Sequence, residues 1–454
     1  MKNNNVKKIS LICVLILLIL ICLPACEIIK NILPLKETEK FQPYEKTYSL
    51  KEAQLLETAD FRSLNSVNYS SMTNYLPISE GYLSAVNAFS ETIYRAILAD
   101  GVSDGFSFSP LGLYEILCIA ALGSDDETAL AALDGLLGMT KETRKNDFIN
   151  AYKKDFFTNT QGTLQMYNAA FLTSDFTPNS SYVQELTDHY VEAFSMNFRS
   201  DESINKLLSW IDEKTGERNF LKKEDLALRN DVIAYLFSTI CFDNKWSSAF
   251  VLTNTYEDTF YGKTNKTVAF MKHSYYGTLL DYGDYVVCYD YYANGLRIKY
   301  LVPKNLTDSI YELTKGKDIL SCVPESPEKE NRYVINLSVP KFSSEYALDL
   351  TQTLSKTGLS CLFDKNRQSF NYMFSDLPAP FSTYLTSIKQ KNKVTFNEDG
   401  TIIKSTTFAQ IGGFKSAAPA DKENTYDVKL DQPFIYVVYD KNDLPLYVGH
   451  VDMP

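Results

Sequence analysis

The sequence predicts an α+β fold with large sheets, and three observations carry that reading. Helical periodicity is concentrated early in the chain. Apolar runs and period-two alternation dominate from about residue 230 onward. The two patterns do not interleave as strand–helix–strand units, which sets a doubly wound parallel sheet aside.

The elements follow in order. Residues 83–98 read as a helix, because Val86, Phe89, Ile93, Ala96 and Ile97 share a face and Asp100-Gly101 closes it. Phe106-Ser107-Phe108 is a short strand. Ser109 and Pro110 suit an N-cap and a first-turn proline. The helix they open, 111–122, is apolar nearly all round and belongs at the centre of the protein. Ser124 with Glu127 fits a capping box for a further helix, which buries Leu130, Leu133, Leu136 and Leu137 and stops at Gly138. Residues 168–172 read as a strand and 204–214 as an amphipathic helix carrying Leu207, Leu208 and Ile211. The long apolar run 232–242 suits an interior strand. Strands follow at 258–260, 268–271, 285–289 and 296–302, then a short helix at 309–314. Ile335, Leu337 and Val339 alternate with Asn336 and Ser338. Residues 348–354 read as helical, and 393–396, 434–439 and 447–451 as strands.

At the N-terminus, Lys2, Lys7 and Lys8 precede an apolar run from Ile9 to Leu23, the pattern of an export signal. The run is short for a membrane span. An ordinary signal peptide or a short anchor helix fits it. Leu23-Pro24-Ala25-Cys26 also resembles the bacterial lipoprotein box. That resemblance implies loss of residues 1–25, lipidation of Cys26, and an exported protein lipid-anchored to the cell membrane and facing outside the cytoplasm. Residues 26–75, with Leu33-Pro34-Leu35 and the Ser/Asn-rich stretch 63–74, then read as a tether. Roughly 375 residues remain, enough for two domains or one large one. No internal repeat or linker divides them.

The net charge is −11, and losing the three signal lysines takes it to −14. No stripe of Lys or Arg is present, which excludes a nucleic-acid partner. Acidity suits solubility and basic partners. Cys118, Cys241, Cys288, Cys322 and Cys361 include no C-x-x-C pair and read as buried free thiols, with a disulfide left open. His189, His273 and His450 are scattered, and His189 and His273 read as surface residues. No metalloprotease, hydrolase, Walker or dinucleotide motif occurs, and nothing calls for a metal or cofactor.

One segment stands apart. Residues 397–431 read NEDGTIIKSTTFAQIGGFKSAAPADKENTYDVKLD. The part from Thr401 to Thr407 has strand propensity, yet it adjoins a Gly/Ala/Ser/Pro-rich stretch of loop character. Loops of this length inside a domain are usually functional or disordered.

Seven segments, taken in order, resemble the serpins. They are Phe106–Leu111 with Leu122-Gly123 and Thr128; Asn168-Ala169-Ala170-Phe171; Trp210-Ile211 with Thr215; Phe242–Trp246; Val339-Pro340-Lys341-Phe342; Asn397–Thr401; and Gln432-Pro433-Phe434 with Tyr447–Pro454. The resemblance implies a serpin domain over 76–454 with three β-sheets, about eight or nine helices and an exposed reactive loop at about 398–426. It implies a monomeric suicide-substrate inhibitor and not an enzyme. The partner would be a serine-class protease of chymotrypsin-like or trypsin-like specificity. That protease attacks the loop, which then inserts into the main sheet as a new strand and traps the acyl-enzyme. The competing reading is a non-inhibitory serpin-fold protein, acting as a substrate or a binding module.

Carried onto this chain, the hinge is Glu398, Asp399, Gly400, Thr401, Ile403, Ser405 and Thr407. Gly400 would be the swing point. On insertion Thr401, Ile403, Ser405, Thr407 and Ala409 would face inward, and Ile402, Lys404, Thr406, Phe408 and Gln410 outward. Ile403 stands where inhibitory members usually have alanine, and overfilling a packed site costs about 1–3 kcal/mol. Counting forward from the hinge places the reactive bond at Phe414-Lys415; counting backward from Pro433-Phe434 places it near Lys422-Glu423. At the place where the main sheet opens, this chain has Ser109, Gly112, Ser238 and Gln390 where the family has Ser, Ser, Asn and His.

Overall fold

The computed structural model describes residues 60–101, 105–226, 229, 231–306, 309–322, 329–403 and 425–454. The early part is mixed: β1 (Phe61–Ser63), α1 (Glu80–Ala99), β2 (Phe106–Phe108), α2 (Pro110–Leu122), α3 (Glu127–Leu137), α4 (Lys141–Lys154), β3 (Phe157–Asn159), β4 (Gly162–Thr173), α5 (Ser180–Asp188), β5 (Val191–Met196) and α6 (Asp201–Thr215). Strands then dominate: β6 (Ala234–Lys245), β7 (Tyr256–Tyr261), β8 (Asn265–Asp281), β9 (Tyr285–Tyr291), β10 (Arg297–Pro303), β11 (Lys329–Pro340) and β12 (Phe342–Asp349). The last are β13 (Lys389–Phe396), β14 (Gly400–Ile403), β15 (Thr425–Lys429), β16 (Phe434–Tyr439) and β17 (Pro445–Val451). Two short helices, α7 (Ile310–Thr314) and α8 (Thr351–Leu354), interrupt them. The α+β reading therefore holds.

The main sheet has the order β1-β5-β4-β6-β14-β13-β12, with β3 folded back on β4. The remaining strands run β15-β11-β8-β9-β10-β16-β17-β2, with β7 on β8. Strand β8 pairs with β7 through its first residues and with β9 through its last, from Leu279 to Asp281. It passes from one arm to the other, so the second and third sheets form one hydrogen-bonded network.

Helix α2 lies beneath the main sheet, against β6 and β17. Ser109 caps it by accepting the Gly112 amide at 3.1 Å, and Pro110 occupies its first turn. The larger core fills the space between this helix and the sheets. A second core covers the other face of the main sheet, where Ile204, Leu207, Trp210 and Ile211 of α6 pack on Ala169 and Phe171 of β4.

Four expectations are corrected. The α3 cap is Asp126, not Ser124: its carboxylate accepts the Thr128 and Ala129 amides and pairs with Arg367, while Ser124 is buried. An ionised cap serves two amides where a hydroxyl serves one, and the helix dipole favours its charge. Residues 348–354 split, because the ladder to β13 holds the chain extended through Asp349↔Lys389 and helix begins only at Thr351. His189 and His273 are buried. His189 lies on Phe148 and bonds the Glu185 carbonyl, and His273 sits 3.0 Å from Asp290 against Phe250. The five cysteines are free, and all but Cys361 are buried.

The fourth correction concerns the tether. Residues 60–75 belong to the body. Strand β1 adds an edge to the main sheet through Phe61↔Met196. The Asn65 side chain bonds the Val191 carbonyl and the Ala193 amide, and Asn68 caps the following turn. Tyr69 stacks on Phe156 and donates to Glu192. The polar residues that read as linker are backbone partners, and two aromatic residues supply the anchor. The segment before residue 60, including Cys26, lies outside the described residues. Among the described residues no helix is long and apolar enough to cross a membrane.

Phe61 sits in the second core against Phe171 and Phe194. Phe61→Ala should lower stability by about 3 kcal/mol. Chemical denaturation followed by tryptophan fluorescence measures it, and an unchanged midpoint would mean that the strap is not part of the folded unit.

Candidate functional site

Strand β14 is the centre of the site. It is a four-residue strand wedged between the middle of the main sheet and its far edge, antiparallel to both neighbours. Thr401 pairs with Phe396 on one side and Asn244 on the other, and Ile403 pairs with Phe242. Residues 397–399 are the turn that joins it to β13.

That turn is held from several directions. Asn397 Oδ1 accepts the Asp399 and Gly400 amides, each at 3.0 Å. The Trp246 indole donates to the Asn397 carbonyl at 2.9 Å, and the Trp246 amide donates to the Asp399 carbonyl. The Phe250 amide donates to the Glu398 carbonyl. The Glu398 carboxylate accepts from Thr255 Oγ1 at 3.0 Å and Lys341 Nζ at 2.9 Å. Burial pushes this carboxyl up, but those donors outweigh it and hold it below the usual range.

The alternation expected for an inserted strand is present. Thr401 and Ile403 are buried, and Ile402 is only half-buried. Ile403 is 1% exposed and part of the main core, so its extra bulk over alanine is already accommodated. Gly400 has a role different from the one expected. It lies within the strand, not at a swing point, and its φ is not in the left-handed region. A Cβ there would meet the Asn244 carbonyl oxygen at 2.2 Å, so glycine is required by close approach of the backbones. Ser405, Thr407 and both candidate bonds, Phe414-Lys415 and Lys422-Glu423, lie outside the described residues.

Of the four sheet-opening positions, the structure brings three together. Gln390 of β13 is bidentate to the Ser109 backbone: its Oε1 accepts the amide at 2.6 Å and its Nε2 donates to the carbonyl at 3.0 Å. Gly112 joins through the Ser109 hydroxyl. Ser238 does not join. It donates to Glu115 of α2 at 3.1 Å, and Asn168 of β4 donates to the same carboxylate oxygen. Glu115 was not singled out from the sequence. Its signal is present nonetheless, as the one charged residue in the otherwise apolar helix PLGLYEILCIAAL. Neighbouring Asn392 adds a bond to the Ser107 carbonyl.

The serpin family model, described as serine protease inhibitor, matches residues 84–454. Among curated proteins, alpha-1-antitrypsin 1-5 of Mus musculus is 23% identical over 389 residues, covering 83% of this chain and 90% of its own length. Alpha-1-antiproteinase of Callosciurus caniceps is 25% identical over 377 residues, covering 81% and 87%. Among solved structures, the thermophilic serpin Tengpin in its native state aligns with a TM-score of 0.70 at 21% identity, covering 84% of this chain and 96% of that one. Cleaved serpin 42Da aligns at 0.68 and 21% identity, covering 83% and 99%.

Gly400→Ala should unseat β14, because the obstruction is backbone that cannot rotate away. A cost of about 1–3 kcal/mol is expected, with faster amide exchange at Thr401 and Ile403. Unchanged exchange at those two amides would show that the strand tolerates a side chain there.

Proposed function

Because the chain belongs to the serpin family, a family of protease inhibitors rather than enzymes, we propose that it is a suicide-substrate inhibitor of serine proteases. The protease cleaves the loop as substrate. The freed strand continues the insertion that β14 has begun, and the acyl-enzyme is trapped before water completes hydrolysis. The observation that carries this reading is the seating of β14 itself, with Thr401 and Ile403 inward in the register a longer strand would continue.

The energetics favour it. Roughly ten residues remain to be inserted if the bond is Phe414-Lys415, and backbone hydrogen bonds contribute about 1 kcal/mol each. Phe414 suits a chymotrypsin-like pocket and Lys415 a trypsin-like one. Lipidation at Cys26 would hold the inhibitor at the outer face of the cell membrane, where foreign or secreted proteases are met.

Incubation of the mature protein with chymotrypsin, elastase and trypsin tests the trapping step. An SDS-stable complex should form with at least one of them, and the mass of the released C-terminal fragment will locate the bond. The cleaved protein should unfold at a markedly higher temperature than the intact one. Cleavage without complex or lost protease activity would favour the substrate reading instead.

Anchoring has its own test. Expressed in a bacterial host, the full chain should partition with membranes and the Cys26→Ala variant should not. Equal partitioning of both would remove the lipid anchor from the proposal.

A further inference from the structure

Glu115 ties three elements together at one point. It lies on α2 and is 2% exposed. Its Oε2 accepts from Asn168 Nδ2 and Ser238 Oγ, each at 3.1 Å. Asn168 and Ser238 are direct partners on one rung of the β4–β6 ladder. A single oxygen therefore holds one rung of the main sheet to the helix below. Across the gap, Gln390 of β13 holds the start of the same helix. Parting β6 from β13 stresses both ties. The Gln390 tie is a neutral amide on backbone, and only the Glu115 tie changes charge.

The groups facing Glu115 give it no cation. Burial raises its carboxyl to about 7, against the two donors, which lower it. Tyr82 from α1, Cys118 on its own helix, and Tyr152 and Asp155 from the end of α4 are the titratable groups that couple to it, and burial pushes each of them up. From β17, Tyr447 is bonded to the Ile240 carbonyl and His450 to Tyr94. Arg144 of α4 is bonded to Asp134.

We propose that Glu115 is a proton-operated latch on the main sheet, closed when the carboxyl is protonated and released as it ionises. An ionised carboxylate in this dry, cation-free place is unfavourable. Parting the sheet lets water reach it and returns its proton affinity toward the ordinary range. The closed sheet binds the proton more tightly, so rising pH favours opening between the ordinary carboxylate range and about 7, and the effect levels off above that. The consequence for inhibition rests on the insertion reading above. The opening itself is measurable with no protease present.

Hydrogen exchange of the intact mature protein tests the latch at the β14 amides from Thr401 to Ile403, because β14 is paired with both β6 and β13 and loses one ladder when they part, with rates corrected for the intrinsic pH dependence of exchange. The opening equilibrium should rise about 30-fold between pH 5.5 and 8. Glu115→Gln keeps the shape and an accepting oxygen, and its opening should not vary with pH. Ser238→Ala removes one donor that favours the charged form, and should move the midpoint to higher pH; this second variant keeps the test open if Glu115→Gln does not fold. Equal pH dependence in wild type and Glu115→Gln, no pH dependence in wild type, or an unmoved midpoint in Ser238→Ala would overturn the proposal. Failure to form any protease complex would overturn the inhibitor reading and leave this one standing.

Discussion

The main sheet is joined at its centre by very little of its own ladder. Among the described residues, β6 and β13 do not pair with each other; they are bridged by the four residues of β14 at one end. From Ala234 to Thr239, β6 is only half-buried, although it lies in the interior of the sheet. Two half-sheets thus rest on a common helix, one through Glu115 and the other through Gln390. Unpaired strand edges inside a protein are costly unless satisfied. This is the place in the sheet where the proposed mechanism would seat another strand.

Strand β14 already occupies one end of that place. Burying Ile403 contributes about 1.5–3 kcal/mol, and this gain belongs to the intact protein, not to the step that follows cleavage. Under the proposed mechanism, the driving force for insertion would therefore come from the residues beyond Ile403. Ile403, the weak link for insertion on sequence grounds, is seated in the main core of the intact protein. Packing cost is a property of the pocket and not of the residue alone.

The fold was largely legible in the sequence. The apolar helix 111–122, the period-two strand around Ile335 and the C-terminal strands are set by local pattern, and each appears where it was read. The alternation of Thr401 and Ile403 against Ile402 follows from strand geometry, and their inward side from the serpin resemblance. Where the reading failed, tertiary partners decided. Leu348 kept to the ladder because Gln390 lies opposite it. His189 and His273 were placed on the surface because a lone histidine carries no burial signal. Asn65 and Asn68 looked like linker because their composition is the same whether their side chains meet water or backbone. Ser238 was grouped with the wrong partners because its partner, Glu115, is far away in sequence and was hidden by the apolar character of its helix.

The two faces of the sheet resist opening unequally. On the outer face, the second core is built from β1, β4, β5, α6 and the loop after it, with no contribution from β12 or β13. It can move as one body with its half-sheet and need not be broken. Crossing the gap on that side are ion pairs from the loop after α6, Glu217 with Lys393 and Asp225 with Lys391, all of them partly exposed, and the Lys391 ammonium over the Phe220 ring. Pairs of this kind contribute about 0–1 kcal/mol each and are screened by salt. On the inner face the ties sit on α2: the Glu115 carboxylate is buried, and the Gln390 bonds to Ser109 are part-buried. The barrier to opening therefore lies beneath the sheet. That is where a single change of charge has the greatest leverage.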